Sequence, residues 1–266
     1  MALALILVLG LVAARAQEGP KKAGKSIEYW AASASKNRIA LAGRPETPFV
    51  FRKEPALRWS NPLRKTDDGA LFLWTDRGRP EVAACVYHLP QSQEGAIVHE
   101  LQSLSVAPLV MSHDGRAVWT PTPGVTPAPI PDAPRPAAGA AERLRQIRAL
   151  AREFKVHFDG AADRSEIRPL TQPFYRFETE TARPDVLDGA LFGYVHATDP
   201  EALLLIEARA DKPGAPMTWH FAFGRMSAYP MRAEHKGKEV WKAERIVNYG
   251  NSSSPYWGLG AFAPED

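Results

Sequence analysis

Apolar residues recur along this chain with two different periods. In residues 144–158 they return every three or four positions, which is typical of the buried face of an α-helix. The residues of this stripe are Leu144, Ile147, Leu150, Phe154 and Phe158. The pattern predicts a helix that ends at Asp159-Gly160. Residues 26–41 hold the equivalent place earlier in the chain and predict a second helix, although their apolar spacing is less regular.

The same predicted helix carries a second stripe, of basic residues. Arg145, Arg148, Arg152 and Lys155 also recur at helical spacing. A helix that packs on one side is polar on the other, so a solvated face explains the stripe. A surface that meets phosphate or another anion explains it as well.

Short apolar runs rich in β-forming residues predict strands in the rest of the chain. They lie at 70–74, 82–88, 97–105, 109–113, 117–120, 190–194, 203–208 and 218–227. Asp114-Gly115 is a strong signal for a two-residue hairpin turn, and Lys236-Gly237 is a weaker one. At both turns we expect the glycine to have positive φ.

Two blocks of sequence occur twice. Asp-Gly-Ala-Leu-Phe stands at 68–72 and again at 188–192. A second set of six residues is also shared, with nearly the same offset between its copies. Ser105, Pro108, His113, Gly115, Val118 and Trp119 match Ser227, Pro230, His235, Gly237, Val240 and Trp241. The pattern indicates an internal duplication. It predicts an α+β fold of two units, each a helix followed by a four- to five-stranded antiparallel meander sheet.

The predicted boundaries follow from changes in composition. A first unit spans 26–120, and the proline-rich residues 121–138 form a linker, because proline cannot donate a backbone hydrogen bond inside a helix or a central strand. The second unit spans 139–245. The tail at 246–266, rich in serine and aromatic residues, either wraps back on the second unit or forms an aromatic binding loop.

The N-terminus resembles an export signal. Residues 1–12 carry no charged side chain, and Ala14-Arg15-Ala16 has the small-x-small form that signal peptidase cuts. We therefore expect a signal peptide at 1–16 and a periplasmic or extracellular protein. A retained N-terminal membrane anchor is the alternative, because no basic residue precedes the apolar run.

Net charge and cysteine content limit the possible binding partners and the possible disulfide bonds. The formal net charge is +3, which argues against binding nucleic acid by bulk charge. Cys85 is the single cysteine, so no intramolecular disulfide can form. It lies in an apolar run and is expected to be a buried, inert side chain.

Candidate chemistry is sparse, and no His-Glu-x-x-His, Gly-x-Ser-x-Gly, P-loop or dinucleotide motif occurs. In the aligned copies His99 and Glu100 stand where Phe221 and Ala222 stand in the other half, so these two are weak catalytic candidates. Adjacent strand residues point to opposite faces, which makes a buried, hydrogen-bonded His99 the simpler interpretation. His113 and His235 are shared, but no further ligands accompany them. We therefore predict no metal and no cofactor.

The turn residues carry a family resemblance. Residues 74–81, Trp-Thr-Asp-Arg-Gly-Arg-Pro-Glu, together with Leu-Thr-Gln-Pro at 170–173 and Thr-Asp-Pro-Glu at 198–201, make the chain similar to a group of exported proteins of planctomycete-type bacteria. That group has no activity or ligand-binding residues that could be transferred to this sequence. The resemblance implies export and nothing more specific.

The sequence thus favours an exported, non-catalytic binding or structural module with an unknown partner, such as a ligand of the cell envelope. The alternative is an exported hydrolase with a site in the cleft between the units, using residues of one copy such as His99, Glu100 or Asp185. A cleft with converging polar groups would favour the enzyme, whereas a sealed apolar junction would favour the module.

Overall fold

The structure, a computed structural model, describes residues 27–64, 66–88, 97–159, 165–177, 185–212 and 214–262. The predicted signal peptide at 1–16 lies outside the described residues. Strands hold 53% of the described residues and helices 11%. None of the helices in these ranges is long and apolar enough to cross a membrane.

The helices are shorter than the sequence predicts. Helix α1 spans Ile27–Ser35 and α2 spans Ala140–Ala151, and a 3-10 turn spans Pro62–Arg64. The remainder of each predicted helix is a strand, β1 at Asn37–Leu41 and β9 at Phe154–Phe158. In Phe154-Lys155-Val156-His157-Phe158 the apolar residues alternate as well as being four apart, and the tertiary packing selects the strand.

The described residues form seventeen strands. The seven before residue 120 include β1, followed by β2 Val50–Asn61, β3 Thr66–Asp76, β4 Arg79–His88, β5 Ile97–Ser103, β6 Leu109–His113 and β7 Arg116–Trp119. The other ten are β8 Ala128–Pro129, β9 Phe154–Phe158, β10 Glu166–Pro169, β11 Tyr175–Arg176, β12 Val186–His196, β13 Asp199–Arg209, β14 Thr218–Arg225, β15 Met231–His235, β16 Lys238–Ala243 and β17 Tyr256–Phe262. All eight strands predicted from the sequence are present.

The strands pair into three antiparallel sheets. A five-stranded sheet has the order β17-β5-β4-β3-β2, and β1-β6-β7 forms a small sheet of three. The largest sheet follows β16-β15-β9-β10-β12-β13-β14-β8, with β11 also paired to β12. Strand β1 pairs with the distant β6 and not with β2, whereas β9 pairs with its neighbour β10 on one side and with the distant β15 on the other.

These sheets overturn the predicted α+β fold of helix-plus-meander units. The molecule is mostly β and includes a curled half-barrel, and only two α-helices occur in the described ranges. The prediction was wrong because the residues of β1 and β9 also fit a helical pattern, and because β6 and β15, which pair with them, are distant in sequence. A meander assumes that strands pair only with their neighbours in sequence, and the β1–β6 and β9–β15 pairings break that order.

The central strands are buried on both faces, which explains their continuous apolar runs. In β3, Leu71 and Leu73 face the strands β12 to β14, while Phe72 and Trp74 pack beneath α1 and the three-stranded sheet. Phe192 and Tyr194 occupy similar positions in β12 and contact the core beneath α2. The aromatic pairs are therefore core residues. Cys85 is buried as expected.

Both predicted hairpin turns are confirmed. Gly115 has φ of 78° after Asp114 at 47°, and Gly237 has φ of 82° after Lys236 at 50°. Two successive positive φ values match the twist of the flanking strands. The duplicated tryptophans differ, because Trp119 is fully buried while Trp241 is only partly buried against Phe223.

Part of the proline-rich segment lies against the largest sheet. Its residues Ala128–Pro129 form β8 on the edge of the largest sheet, paired to β14. The amides of Thr120 and Thr122 donate to the carbonyls of Ser252 and Ser253.

The tail wraps onto the molecule, but not where we expected. Strand β17 pairs with β5 of the five-stranded sheet instead of closing the second half of the chain.

Candidate functional site

The two larger sheets meet over an apolar core that opens into a polar pocket at one end. The core between them contains Leu71, Leu73, Leu203 and Leu205. The pocket has a volume of about 230 Å³. Its lining is polar and aromatic, with Arg64, Glu100 and Asp199 beside Trp59, Tyr87, Tyr229, Tyr249 and Tyr256. Residues far apart in sequence thus meet at one end of an apolar junction.

Asp199 is placed by the tight turn that joins β12 to β13. Ala197 in this turn has φ of 55°, and Asp199 pairs with His196 across the hairpin. The side chain accepts from Asn61 Nδ2 at 3.0 Å and from Arg64 Nη1 at 3.3 Å. Burial raises the pKa of the Asp199 carboxyl.

Glu201 is a completely buried carboxyl next to the same guanidinium. Arg64 Nη2 lies 2.8 Å from its Oε1, so the carboxylate is ion-paired with the guanidinium. Burial raises the pKa of Glu201 to about 7, against the opposing effect of Arg64. Arg64 therefore pairs with both Asp199 and Glu201.

Glu100 projects from β5 into the pocket on the side of the tyrosines. Tyr87 and Tyr256 both direct their hydroxyls at its carboxyl oxygens, the former at 3.4 Å. Burial raises the pKa of Glu100 to about 8, and the nearby Asp199 adds to the shift. At neutral pH this carboxyl is mostly protonated.

Arginines stack on the aromatic residues around the pocket. The guanidinium of Arg64 lies 5.2 Å from the ring centre of Tyr229, and that of exposed Arg245 lies 5.4 Å from the same ring. Arg225 lies 5.4 Å from the ring of Tyr256. Guanidinium groups of the chain therefore contact the rings of Tyr229 and Tyr256, as expected because aromatic faces attract cations.

The corresponding turn, between β3 and β4, has the basic Arg79 where the β12–β13 turn has the acidic Asp199. Arg79 pairs with Asp76 across that hairpin, as Asp199 pairs with His196, and Pro80-Glu81 follows it as Pro200-Glu201 follows Asp199. Arg79 is buried, with its Nε 2.7 Å from Glu207 and its Nη1 3.0 Å from Glu81. A guanidinium of the chain thus fills the space between two carboxylates.

His99, the other sequence candidate, lies on the opposite face of β5 from Glu100. Its Nε2 is 2.9 Å from Ser33 Oγ and its Nδ1 is 2.8 Å from Asn37 Nδ2. Burial lowers the pKa of His99 to about 3. It is a neutral, hydrogen-bonded core histidine and does not line the pocket.

The shared histidines do not meet. His113 Nδ1 is 2.7 Å from Asn37 Oδ1, whereas His235 Nε2 is 2.8 Å from Glu153. No group of three or more potential ligands that could hold a metal occurs in the described part of the chain. Asp185 is half-exposed, with its Oδ2 3.8 Å from Arg209.

Sequence reasoning found Glu100 but missed Arg64, Asp199 and Glu201. One signal was present. The sequences Arg79-Pro80-Glu81 and Asp199-Pro200-Glu201 match except for a reversal of charge at their first residue. Such a reversal indicates that the two turns have similar backbones but different surroundings. Arg64 had no such signal, because its role arises only when the 3-10 turn meets β13.

Comparison with known proteins adds no relatives, since no protein-family model, curated protein or solved structure matches this chain.

Proposed function

We propose that this protein is an exported, non-catalytic binding module whose ligand is a small organic cation, an ammonium or a guanidinium. The observation that carries the proposal is Glu100, a buried carboxyl in the pocket whose described hydrogen-bond partners are the hydroxyls of Tyr87 and Tyr256. The other buried carboxylates near the two turns are paired with guanidinium groups, Glu81 and Glu207 with Arg79, and Asp199 and Glu201 with Arg64. A cation entering the pocket would give Glu100 the kind of partner that these carboxylates have.

The pocket lining supports a cation over an anion or an apolar ligand. Asp199 and, above its raised pKa, Glu100 supply negative charge, and five aromatic side chains line the walls beside Arg64 and Arg245. Carboxylates combined with aromatic faces are the chemistry by which proteins hold ammonium and guanidinium groups. Arg64 already serves Asp199 and Glu201, which leaves Glu100 with tyrosine hydroxyls as partners.

Calorimetric titration with agmatine and choline tests this function. We expect saturable binding that is lost in Asp199→Asn and kept in Asp76→Asn, a control on the other turn. Because the ionised carboxyls favour a cation, the affinity should rise at least about tenfold from pH 6 to pH 9. Affinity that is equal for agmatine and for a neutral alcohol of the same length would refute the proposal.

One observation favours a hydrolase as the second candidate. Glu100 holds a proton near neutral pH beside the separate carboxyl of Asp199, and a protonated carboxyl paired with a second one is the arrangement of acid-catalysed glycoside cleavage. Turnover of aryl glycosides by the mature chain that disappears in Glu100→Gln would support this candidate. Absence of turnover with intact agmatine binding would leave the binding module.

Export and duplication belong to the same proposal. Export is supported by the sequence of residues 1–16 and by the resemblance to exported planctomycete-type proteins. Mass spectrometry of the mature protein tests it, with cleavage after Ala16 expected.

An internal duplication of the sequence is supported by the shared blocks and by the similar strand pairings β1-β6-β7 and β9-β15-β16.

A further inference from the structure

A second, smaller pocket lies at the C-terminal end of α2, away from the polar pocket. Its volume is about 140 Å³. The floor is apolar and consists of Phe192, Tyr194 and Leu204, which are buried members of the core beneath the helix. Pockets with an apolar floor and few polar groups are suited to small organic ligands.

The rim of this pocket is basic. Arg148, Arg152 and Lys155, three members of the basic stripe found in the sequence, line it together with Glu166. Lys155 is already paired, with its Nζ 3.1 Å from Glu166 Oε2. The two arginines therefore carry the positive charge available to a ligand.

Arg148 has a feature that a solvated face does not explain. Its Nε is buried and has no hydrogen-bond partner among the described residues. Cations near a helix C-terminus are favoured by the helix dipole, but that preference is met by an exposed guanidinium as well. A buried donor without an acceptor costs free energy, and an anion at the pocket rim would supply the missing acceptor.

We propose that this pocket binds a small anionic amphiphile, with an apolar body on Phe192, Tyr194 and Leu204 and a carboxylate or phosphate at Arg148 and Arg152. The basic stripe then has two parts. Arg145 is exposed and paired with Glu142, so it belongs to the solvated side, whereas Arg148 and Arg152 face the ligand.

Titration of the full-length mature protein with octanoate tests the site, monitored by calorimetry. We expect Arg148→Gln to weaken octanoate binding at least about tenfold, as the loss of a charge-assisted hydrogen bond should. Arg145→Gln, on the same helix, and Asp199→Asn, in the polar pocket, should leave it unchanged. The second of these controls separates this site from the proposed cation site.

Octanol and octylammonium complete the test, since they keep the apolar body and change only the headgroup. Both should bind at least about tenfold more weakly than octanoate. The proposal fails if octanol binds as well as octanoate, if Arg145→Gln weakens binding as much as Arg148→Gln, or if no saturable binding appears up to roughly 10 mM octanoate. Arg152→Gln serves as a second charge deletion if Arg148→Gln unfolds.

Discussion

At the scale of single residues, this protein places buried charges in two different situations. Arg79 is surrounded by carboxylates and by the carbonyls of Pro80 and Leu104, so its charge is compensated. Glu100 and Glu201 are buried with less compensation, and burial raises the pKa of both. The first arrangement holds the fold together, and the second leaves groups whose protonation changes near neutral pH.

The raised pKa of Glu100 sets a pH dependence of stability. Between an ordinary glutamate pKa of about 4.3 and the folded value of about 8, the folded chain binds more protons than the unfolded chain. The free energy of unfolding therefore falls as pH rises through that window. Glu100→Gln removes this loss, so we expect it to be about 1 to 3 kcal/mol more stable than wild type at pH 8.5 and nearly equal at pH 4.5.

Urea unfolding at the two pH values measures this difference. Glu244→Gln, at an exposed carboxyl, is the matched control and should follow wild type at both. A gain in Glu100→Gln that is the same at pH 4.5 and 8.5 would contradict the assigned burial effect.

Arg79 should be among the most sensitive residues of the chain. Arg79→Met keeps much of the side-chain volume but leaves Glu81 and Glu207 buried without their shared partner. Removing one member of a buried ion pair costs about 3 to 5 kcal/mol. Arg77→Met, two residues earlier in the turn and at a half-exposed side chain, should change the free energy of unfolding by less than about 0.5 kcal/mol. Similar losses in both variants would show that the turn, and not the pairing, is responsible.

At the scale of elements, the turns and strands follow local rules while the pairing of strands does not. Asp114-Gly115 predicts its hairpin because both residues must take positive φ, which is a local requirement. The apolar run at 203–208 predicts β13 equally well. Nothing local tells β1 to pair with β6, or β17 with β5, because those contacts depend on how the sheets stack.

The candidate site shows the same limit. Glu100 was found because its counterpart in the other half is an alanine, which is a comparison within the sequence. That comparison also selected His99, which the structure places in the core, because a polar residue facing a core and one facing a pocket look alike in the sequence. Arg64 becomes part of the site only through contacts with β13, so sequence reasoning did not reach it.

The turn at Gly115 offers a direct test of the element scale. A Cβ at Gly115 would meet no atom within 4 Å, so Gly115→Ala costs only the backbone strain of φ at 78°. We expect about 1 kcal/mol of destabilisation in urea unfolding. Gly43→Ala is equally free of contacts and is not at positive φ, so it should be close to neutral. Equal effects of the two substitutions would mean that strain at the turn is not the cause.

At the scale of the whole molecule, the sheets are joined by more than their apolar interface. The tail completes the five-stranded sheet through β17, and Tyr256 of that strand reaches Glu100 in the polar pocket. Ser60 and Thr198 exchange hydrogen bonds across the two larger sheets, at 2.8 Å each. Contacts between residues that are distant in sequence therefore stabilise both the junction of the two larger sheets and the polar pocket.

Deleting residues 256–266 should expose the outer edge of β5. We expect the amides within 98–102 that point towards β17 to lose protection in hydrogen exchange, while those bonded to β4 and those of 203–208, in the middle of the other sheet, remain protected. Agmatine binding should be lost in the same variant, because Tyr256 lines the pocket. Unchanged protection at 98–102 would show that β17 does not stabilise that edge.

The pairing of β17 with β5 also has a consequence for how the chain is made. Synthesis proceeds from the N-terminus at roughly 5 to 20 residues per second, so β5 leaves the ribosome well before the strand that covers it. During that interval the five-stranded sheet has an open edge, and open strand edges are what other chains pair with in aggregation. Residues 97–103 are thus the edge that a chain ending before β17 would leave open.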